Sequence, residues 1–413
     1  MLDKKIMPCS KLWTDLIIKF PTNIVTHCCK QIKDREIKAS DINGPNFFIN
    51  STEILNDKKT FALENNFPTS CSYCSSSHPH SLYTQWNKWI DSSWSIQELE
   101  LLPEKNYVNH IELRLSSICN QTCMYCNERW STSWAKLKKT KIQRGSSVWK
   151  NTVKENLWKF LENSSIATEF NFVGGEPFLA PDLFDVLHEL EKIYRYKNLS
   201  KKSRINITTN ANFTKKILDK FFSYVENSMD VFDFSISISI DTDDKKNIEI
   251  RDGIDNKRYY DNIDKMLHNQ NIKKIIFGPT INLLNISRLP KLFSFFIEKS
   301  MQVNRTDPSN IGISYNIVDE PIAMSPKLLP KNYCKYLDQS KDVIKTYDIK
   351  KLNINRFFEY LDLIKNQIGT KRTIKNLEIA KDWYIKQGKI KNKNYFDIFP
   401  ELNTILDVKD VAL

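Results

Sequence analysis

Short runs with apolar residues at alternate or consecutive positions fall at 111–118, 168–173, 204–210, 232–241, 273–281 and 311–318, and each reads as a β-strand. Between them apolar residues return every three or four positions over 153–161, 182–197, 214–225, 259–269 and 287–298, the period of a helix with one buried face. In the fourth run Ser235 and Ser237 alternate with Ile236 and Ile238, as in a half-buried strand. After Pro330 the helical period continues over 331–348 and 353–368, and a Lys- and Asn-rich end follows. Ahead of the first run, 75–103 with Trp86, Trp89 and Trp94 reads as an amphipathic helix and linker whose tryptophans serve packing.

Alternating short strands and amphipathic helices predicts an α/β fold with a parallel sheet and right-handed crossovers. Six strands predict a partial (β/α)6 barrel of TIM type, with a small cysteine-rich N-terminal domain and a helical C-terminal tail. The expected borders are 1–105, 106–326 and 327–413. In such barrels the catalytic groups collect at the carboxyl ends of the strands, so those ends are where chemistry is sought.

The first barrel strand runs into Cys119-Asn-Gln-Thr-Cys123-Met-Tyr-Cys126. Three thiols on one short loop can bind three irons of a cubane [4Fe–4S] cluster and leave the fourth iron free of protein, whereas a purely electron-carrying cluster is normally closed by four thiolates. A structural zinc site wants four ligands, usually as two pairs, and no second pair follows, the next cysteine being Cys334. The loop resembles that of the radical S-adenosylmethionine (SAM) superfamily, which carries Cys-x3-Cys-x2-Cys with an aromatic residue before the last Cys. Tyr125 stands at that position.

Three further strand ends resemble the same superfamily. The run 170–173 enters Gly174-Gly175-Glu176-Pro177. Two glycines let backbone approach a ligand, and a carboxylate beside them accepts hydrogen bonds from an amine; the resemblance implies that this turn holds the SAM amino group, with Glu176 as its partner. Thr209-Asn210 resembles the third-strand element and Ser239-Ile240-Asp241 the fourth-strand element. The resemblance implies that they bind SAM's ribose and methionine carboxylate, with Arg251 near that carboxylate. An exposed helical arginine is the alternative at 251.

A second group of cysteines precedes the barrel: Cys9, the Cys28-Cys29 pair after His27, and Cys71 and Cys74 in Cys-x2-Cys spacing. An early Cys, a strand pair leading to Cys-Cys, then Cys-x2-Cys resembles the reduced SPASM-type domain called twitch. That resemblance implies an auxiliary [4Fe–4S] cluster on Cys9, Cys71, Cys74 and either Cys28 or Cys29, with Cys28 preferred. A zinc site is the alternative, since four thiols ending in Cys-x2-Cys also suit zinc and His27, His78 and His80 lie near in sequence.

The chain has 413 residues, 41% of them hydrophobic, enough for a sizeable core. It has no run of about eighteen apolar residues and its start lacks a secretory core, so no membrane span and a cytoplasmic location are expected. The nine cysteines then read as metal ligands and reduced thiols. A net charge of +12 would suit nucleic acid, but the lysines are spread along the chain, and the dense run 386–393 reads as a solvated face. No nucleic-acid partner is expected.

The resemblance implies reductive cleavage of SAM to methionine and a 5′-deoxyadenosyl radical that takes a hydrogen atom from substrate. It also implies a small redox protein as electron donor, and a peptide or protein as one class of substrate beside small metabolites. The alternative of another class is a non-catalytic iron–sulfur or zinc protein that keeps the barrel as a binding module.

Overall fold

The computed structural model describes residues 11–28, 38–62, 64, 66, 68–71, 108–142, 146–197, 199–303, 311–314, 316–346 and 355–409. Its strands are β1 (Asp15–Lys19), β2 (Ile24–Thr26), β3 (His110–Arg114), β4 (Glu169–Val173), β5 (Ser203–Thr209), β6 (Phe232–Ile238), β7 (Ile272–Phe277), β8 (Thr280–Ile281), β9 (Ile311–Ile313) and β10 (Asn316–Ile317). They hydrogen-bond as one eight-stranded sheet, β2-β1-β3-β4-β5-β6-β7-β9, and a short pair, β10-β8. From β3 onward neighbours in the large sheet follow chain order, as a repeated strand–helix–strand path requires. The β3–β4, β6–β7 and β7–β9 pairs are parallel.

The sheet takes in two more strands than the six expected. β1 pairs parallel with β3, Asp15 opposite His110, and antiparallel with β2. The turn between β1 and β2 closes through Asn23 in the left-handed region, a conformation asparagine tolerates. The last two expected strands are each broken in two, β7 from β8 and β9 from β10. Pro279 lies at the first break and has no N–H to give a ladder.

The five expected helices form as Ser147–Asn163, Leu183–Lys197, Lys215–Ser228, Asn256–His268 and Leu289–Gln302. The first begins well before 153 because Ser146 caps it, accepting from the Trp149 N–H. In Asn256–His268 the buried residues Tyr259, Asn262, Ile263, Met266 and Leu267 make one stripe. β6 is buried almost throughout, Ser235 and Ser237 included. That corrects the half-buried reading: a parallel strand covered on both faces loses the polar-out side.

Two compact units are distinguished. One comprises Met1–Ser117, Gln143–Asn206 and Ser228–Asp233; the other comprises Ile118–Ile142, Ile207–Asn227 and Phe234–Leu413. The first is built on Ile111, Leu113, Phe170, Phe172 and Ile205, all essentially without exposure. The second contains the C-terminal helices Cys334–Lys345, Asn355–Gln367, Ile374–Lys391, Tyr395–Ile398 and Glu401–Ile405. There the Arg372 guanidinium donates to the Leu328 and Ile405 carbonyls, and the Tyr384 hydroxyl to that of Ala323. Among the described residues no helix is long and apolar enough to cross a membrane.

Candidate functional site

The cysteine loop has no regular secondary structure, so its backbone groups need other partners. Much of that role falls to a short segment far along the chain: the Thr122 N–H donates to the Asp252 carbonyl and the Met124 N–H to that of Ile250, each at 2.8 Å. The other side is held by the turn 131–134. Thr132 Oγ1 accepts from the Cys119 N–H, the Ser133 hydroxyl donates to the Cys119 carbonyl, and the Ser131 hydroxyl to that of Gln121. The indole N–H of buried Trp134 donates to the Cys123 carbonyl at 2.9 Å.

Three asparagines fasten the loop to the end of β5. Asn210 Nδ2 donates to Asn120 Oδ1 at 2.9 Å and lies 3.8 Å from the Cys119 sulfur. Asn120 donates to the Asn212 carbonyl, and Asn212 Nδ2 to the Gly253 carbonyl. Between them Ala211 has φ +54°, a strained setting for a residue with a Cβ. Asn262 holds the strained turn by donating to the carbonyls of Ala211 and Phe213. Gly253, at φ +105°, is required here, since a Cβ would stand 2.6 Å from the Asn120 carbonyl oxygen.

A buried charge network lies at the end of β6. Asp241 is fully buried; it accepts from the Tyr125 hydroxyl at 2.7 Å and from the Thr280 N–H at 2.8 Å. Arg251 Nε sits 2.9 Å from Asp241 Oδ2, and its Nη2 donates to Oδ1. The guanidinium also lies 5.6 Å from the Tyr125 ring centre and 4.0 Å from the Cys123 sulfur. Burial opposes the charged form of Arg251, yet Asp241 and its other neighbours hold its pKa well above the usual value. The exposed-helix alternative for Arg251 is thereby set aside, because the side chain is buried.

Ser239 N–H donates to the Thr209 carbonyl, so these two candidates are neighbours at the ends of β5 and β6. Thr209 Oγ1 accepts from the Ala211 N–H and helps shape the turn. Gly174 has φ +125°, and a Cβ there would stand 2.9 Å from the Ser116 carbonyl oxygen, which accepts from the Gly175 N–H. This close approach explains the glycine at 174. Glu176 is buried and its carboxylate accepts from the Phe178 N–H, capping the turn 177–179.

Burial pushes the Cys123 thiol up against the pull of Arg251 and Lys391, and burial followed by the Cys123 charge pushes Cys126 to about 12. Isolated thiols here stay protonated, so binding requires a metal that displaces the protons and supplies positive charge. Cys119, Cys123 and Cys126 are all outside disulfides. An N–H donor and a guanidinium lie near two of the sulfurs, and such contacts suit the anionic sulfur of an iron–sulfur cluster. Among the described residues no three His, Cys, Asp or Glu side chains gather about one point as for a single ion. The thiolates of a cubane each take a different iron, so such convergence is not required of it.

The sequence did not single out Asn120, Asn212, Gly253, Trp134, Asp252 or Lys391. Only Gly253 left a signal, as one of nine glycines. The Lys386–Lys393 stretch, read as solvated, contains a corrected residue: the Lys391 side chain is 2% exposed, with its ammonium at the Thr122 carbonyl and 3.3 Å from Asp252. Of the N-terminal group, Cys28 and Cys71 are half-buried and outside disulfides. Cys9, Cys29, Cys74, His78 and His80 lie outside the described residues. His27 is buried, its Nδ1 2.6 Å from the Asp15 carbonyl oxygen.

Residues 113–295 match the family model described as the Radical SAM superfamily. A solved structure of Streptococcus suis SuiB bound to S-adenosylmethionine is similar at 15% identity with a TM-score of 0.37, over 67% of this chain and 60% of that one. A second structure of Streptococcus suis SuiB is similar at 14% identity and TM-score 0.35, over 80% of this chain and 68% of that one. The present chain thus spans 60% of the length of the first. No curated protein matches it in sequence.

Proposed function

We propose that this chain is a radical SAM enzyme that uses a [4Fe–4S] cluster on Cys119, Cys123 and Cys126 to cleave SAM reductively. The observation that carries the reading is the cysteine loop itself: three thiols outside disulfides on a backbone fixed from both sides, within a stretch that matches the radical SAM model. When held by these thiolates, the cluster would supply the electron for reductive cleavage of the SAM C–S bond.

The chain's own residues bind and orient. Glu176 offers its carboxylate to the SAM ammonium, and Gly174 and Gly175 let the backbone come close. Thr209, Asn210 and Ser239 offer polar groups at two adjacent strand ends to the ribose and carboxylate. Tyr125, Asp241 and Arg251 act through one another, keeping the Cys123–Cys126 turn in place. Asn210 has the further task of donating toward the Cys119 sulfur.

Cys9, Cys71, Cys74 and one of Cys28 and Cys29 are proposed to form a second metal centre, a twitch-type auxiliary [4Fe–4S] cluster or zinc. A peptide or protein is the proposed substrate class and a small redox protein the proposed electron donor, in a cytoplasmic setting. The function is tested by replacing Cys119, Cys123 and Cys126 singly with Ala. Each variant should lose SAM cleavage while keeping the metal of the N-terminal centre. Retained cleavage in all three would overturn the assignment.

A further inference from the structure

We propose that Lys391, at the end of the C-terminal helix Ile374–Lys391, is a positioning residue for the cluster, holding the Cys123 segment and placing a buried positive charge beside it. This inference rests on the radical SAM reading.

The helix ends in a built turn. Asn392 adopts the left-handed conformation, and its N–H and that of Lys393 both donate to the Gly388 carbonyl. A Cβ at residue 388 would stand 2.4 Å from the Lys393 carbonyl oxygen, so the turn closes only over glycine. It sends Lys391 into the cysteine loop, where its ammonium donates to the carbonyl of Thr122, 269 residues away in sequence. The same ammonium lies 4.5 Å from the centre of the Trp134 ring, whose indole N–H holds the Cys123 carbonyl. Asp252 completes the cluster of contacts, meeting Lys391 at 3.3 Å, Lys393 at 3.1 Å and the Thr122 hydroxyl at 3.1 Å.

An apolar side chain would have packed against Trp134 at lower desolvation cost than a buried ammonium. What the lysine adds is a hydrogen-bond donor for a loop carbonyl, a cation on the indole face and a charge felt at Cys123. Positive charge beside a cluster favours its reduced, more negative form. Lys391 therefore sets both the firmness of the loop and the ease with which the cluster accepts an electron.

The test uses the full chain, reconstituted anaerobically, with Lys391→Met, Lys391→Gln and Lys391→Arg. Iron content, iron release to a chelator and the reduction midpoint are measured on each. Lys391→Met should release iron several-fold faster and shift the midpoint to more negative potential. Lys391→Gln, which keeps a donor for the Thr122 carbonyl, should hold iron better but show the same shift, and Lys391→Arg should restore the midpoint. If Lys391→Met does not fold, the Gln and Arg pair gives the same contrast. A merely structural lysine would change iron release or melting and leave the midpoint where it was, and that result overturns the inference alone. A wild-type chain that takes up no cluster iron at the barrel cysteines overturns the functional reading and this inference with it.

Discussion

Asp241 illustrates how much a single side chain can be asked to do. Its carboxylate meets Arg251, Tyr125 and the Thr280 N–H and has no exposed atom. Breaking a buried ion pair from one side leaves a charge without its partner, which costs about 3–5 kcal/mol. Asp241→Asn should lower unfolding stability by about that amount in a denaturant titration. Unchanged stability with weaker SAM binding would instead make Asp241 a direct ligand. Glu176 is the contrasting case, a buried carboxylate that accepts from the Phe178 N–H and is proposed to meet the SAM ammonium. A charge-assisted hydrogen bond contributes about 1.5–3 kcal/mol, so Glu176→Gln should weaken SAM binding about ten- to hundred-fold in a calorimetric titration. Equal affinity would return the glycine pair to ordinary turn duty. Motif residues such as the three cysteines were legible in the sequence because the chemistry dictates their spacing. Asn120, Asn212 and Trp134 were not, because their role depends on carbonyls that only the fold brings near.

The strands and the five helices between them were legible through their periods. Their ends were less so: Ser146 adds a polar first turn ahead of the apolar stripe that starts at Trp149 and Val153. The pairing of β1 with β3 left no local trace, since parallel partners about ninety residues apart share no turn signal. The helix Ile374–Lys391 was hidden by its lysines, although Leu377, Ala380, Tyr384 and Gly388 form its buried stripe. The β1–β3 pair carries its own prediction. Burial alone would raise the Asp15 carboxyl, but the His110 ring 3.4 Å away and the Lys11 charge hold it below the usual value; burial likewise opposes the His110 charge, yet Asp15 raises its pKa above the usual 6.5. The histidine's contribution is therefore full below pH 6.5 and fades as pH climbs through its raised value. The aspartate's is full above its ordinary pKa of 3.8 and fades in stronger acid. His110→Gln should cost about 1 kcal/mol near pH 5–6 and less near pH 8, read from denaturant midpoints. A penalty that does not change with pH would show that the ring matters only for packing.

For the whole molecule, the radical SAM match ends at residue 295, while Lys391 and the turn that carries it lie beyond. The C-terminal extension grips the cysteine loop within one compact unit. In that extension Lys391 and Lys393 are engaged with Asp252 and Glu249. The most direct test of the central claim compares the reconstituted wild-type chain with a Cys119/Cys123/Cys126→Ala triple variant, each incubated anaerobically with SAM and dithionite and assayed by chromatography. The wild type should yield 5′-deoxyadenosine and methionine in equal amounts, and the triple variant none. A wild type that holds its full cluster iron yet forms no 5′-deoxyadenosine, or a triple variant that forms as much, would contradict the account.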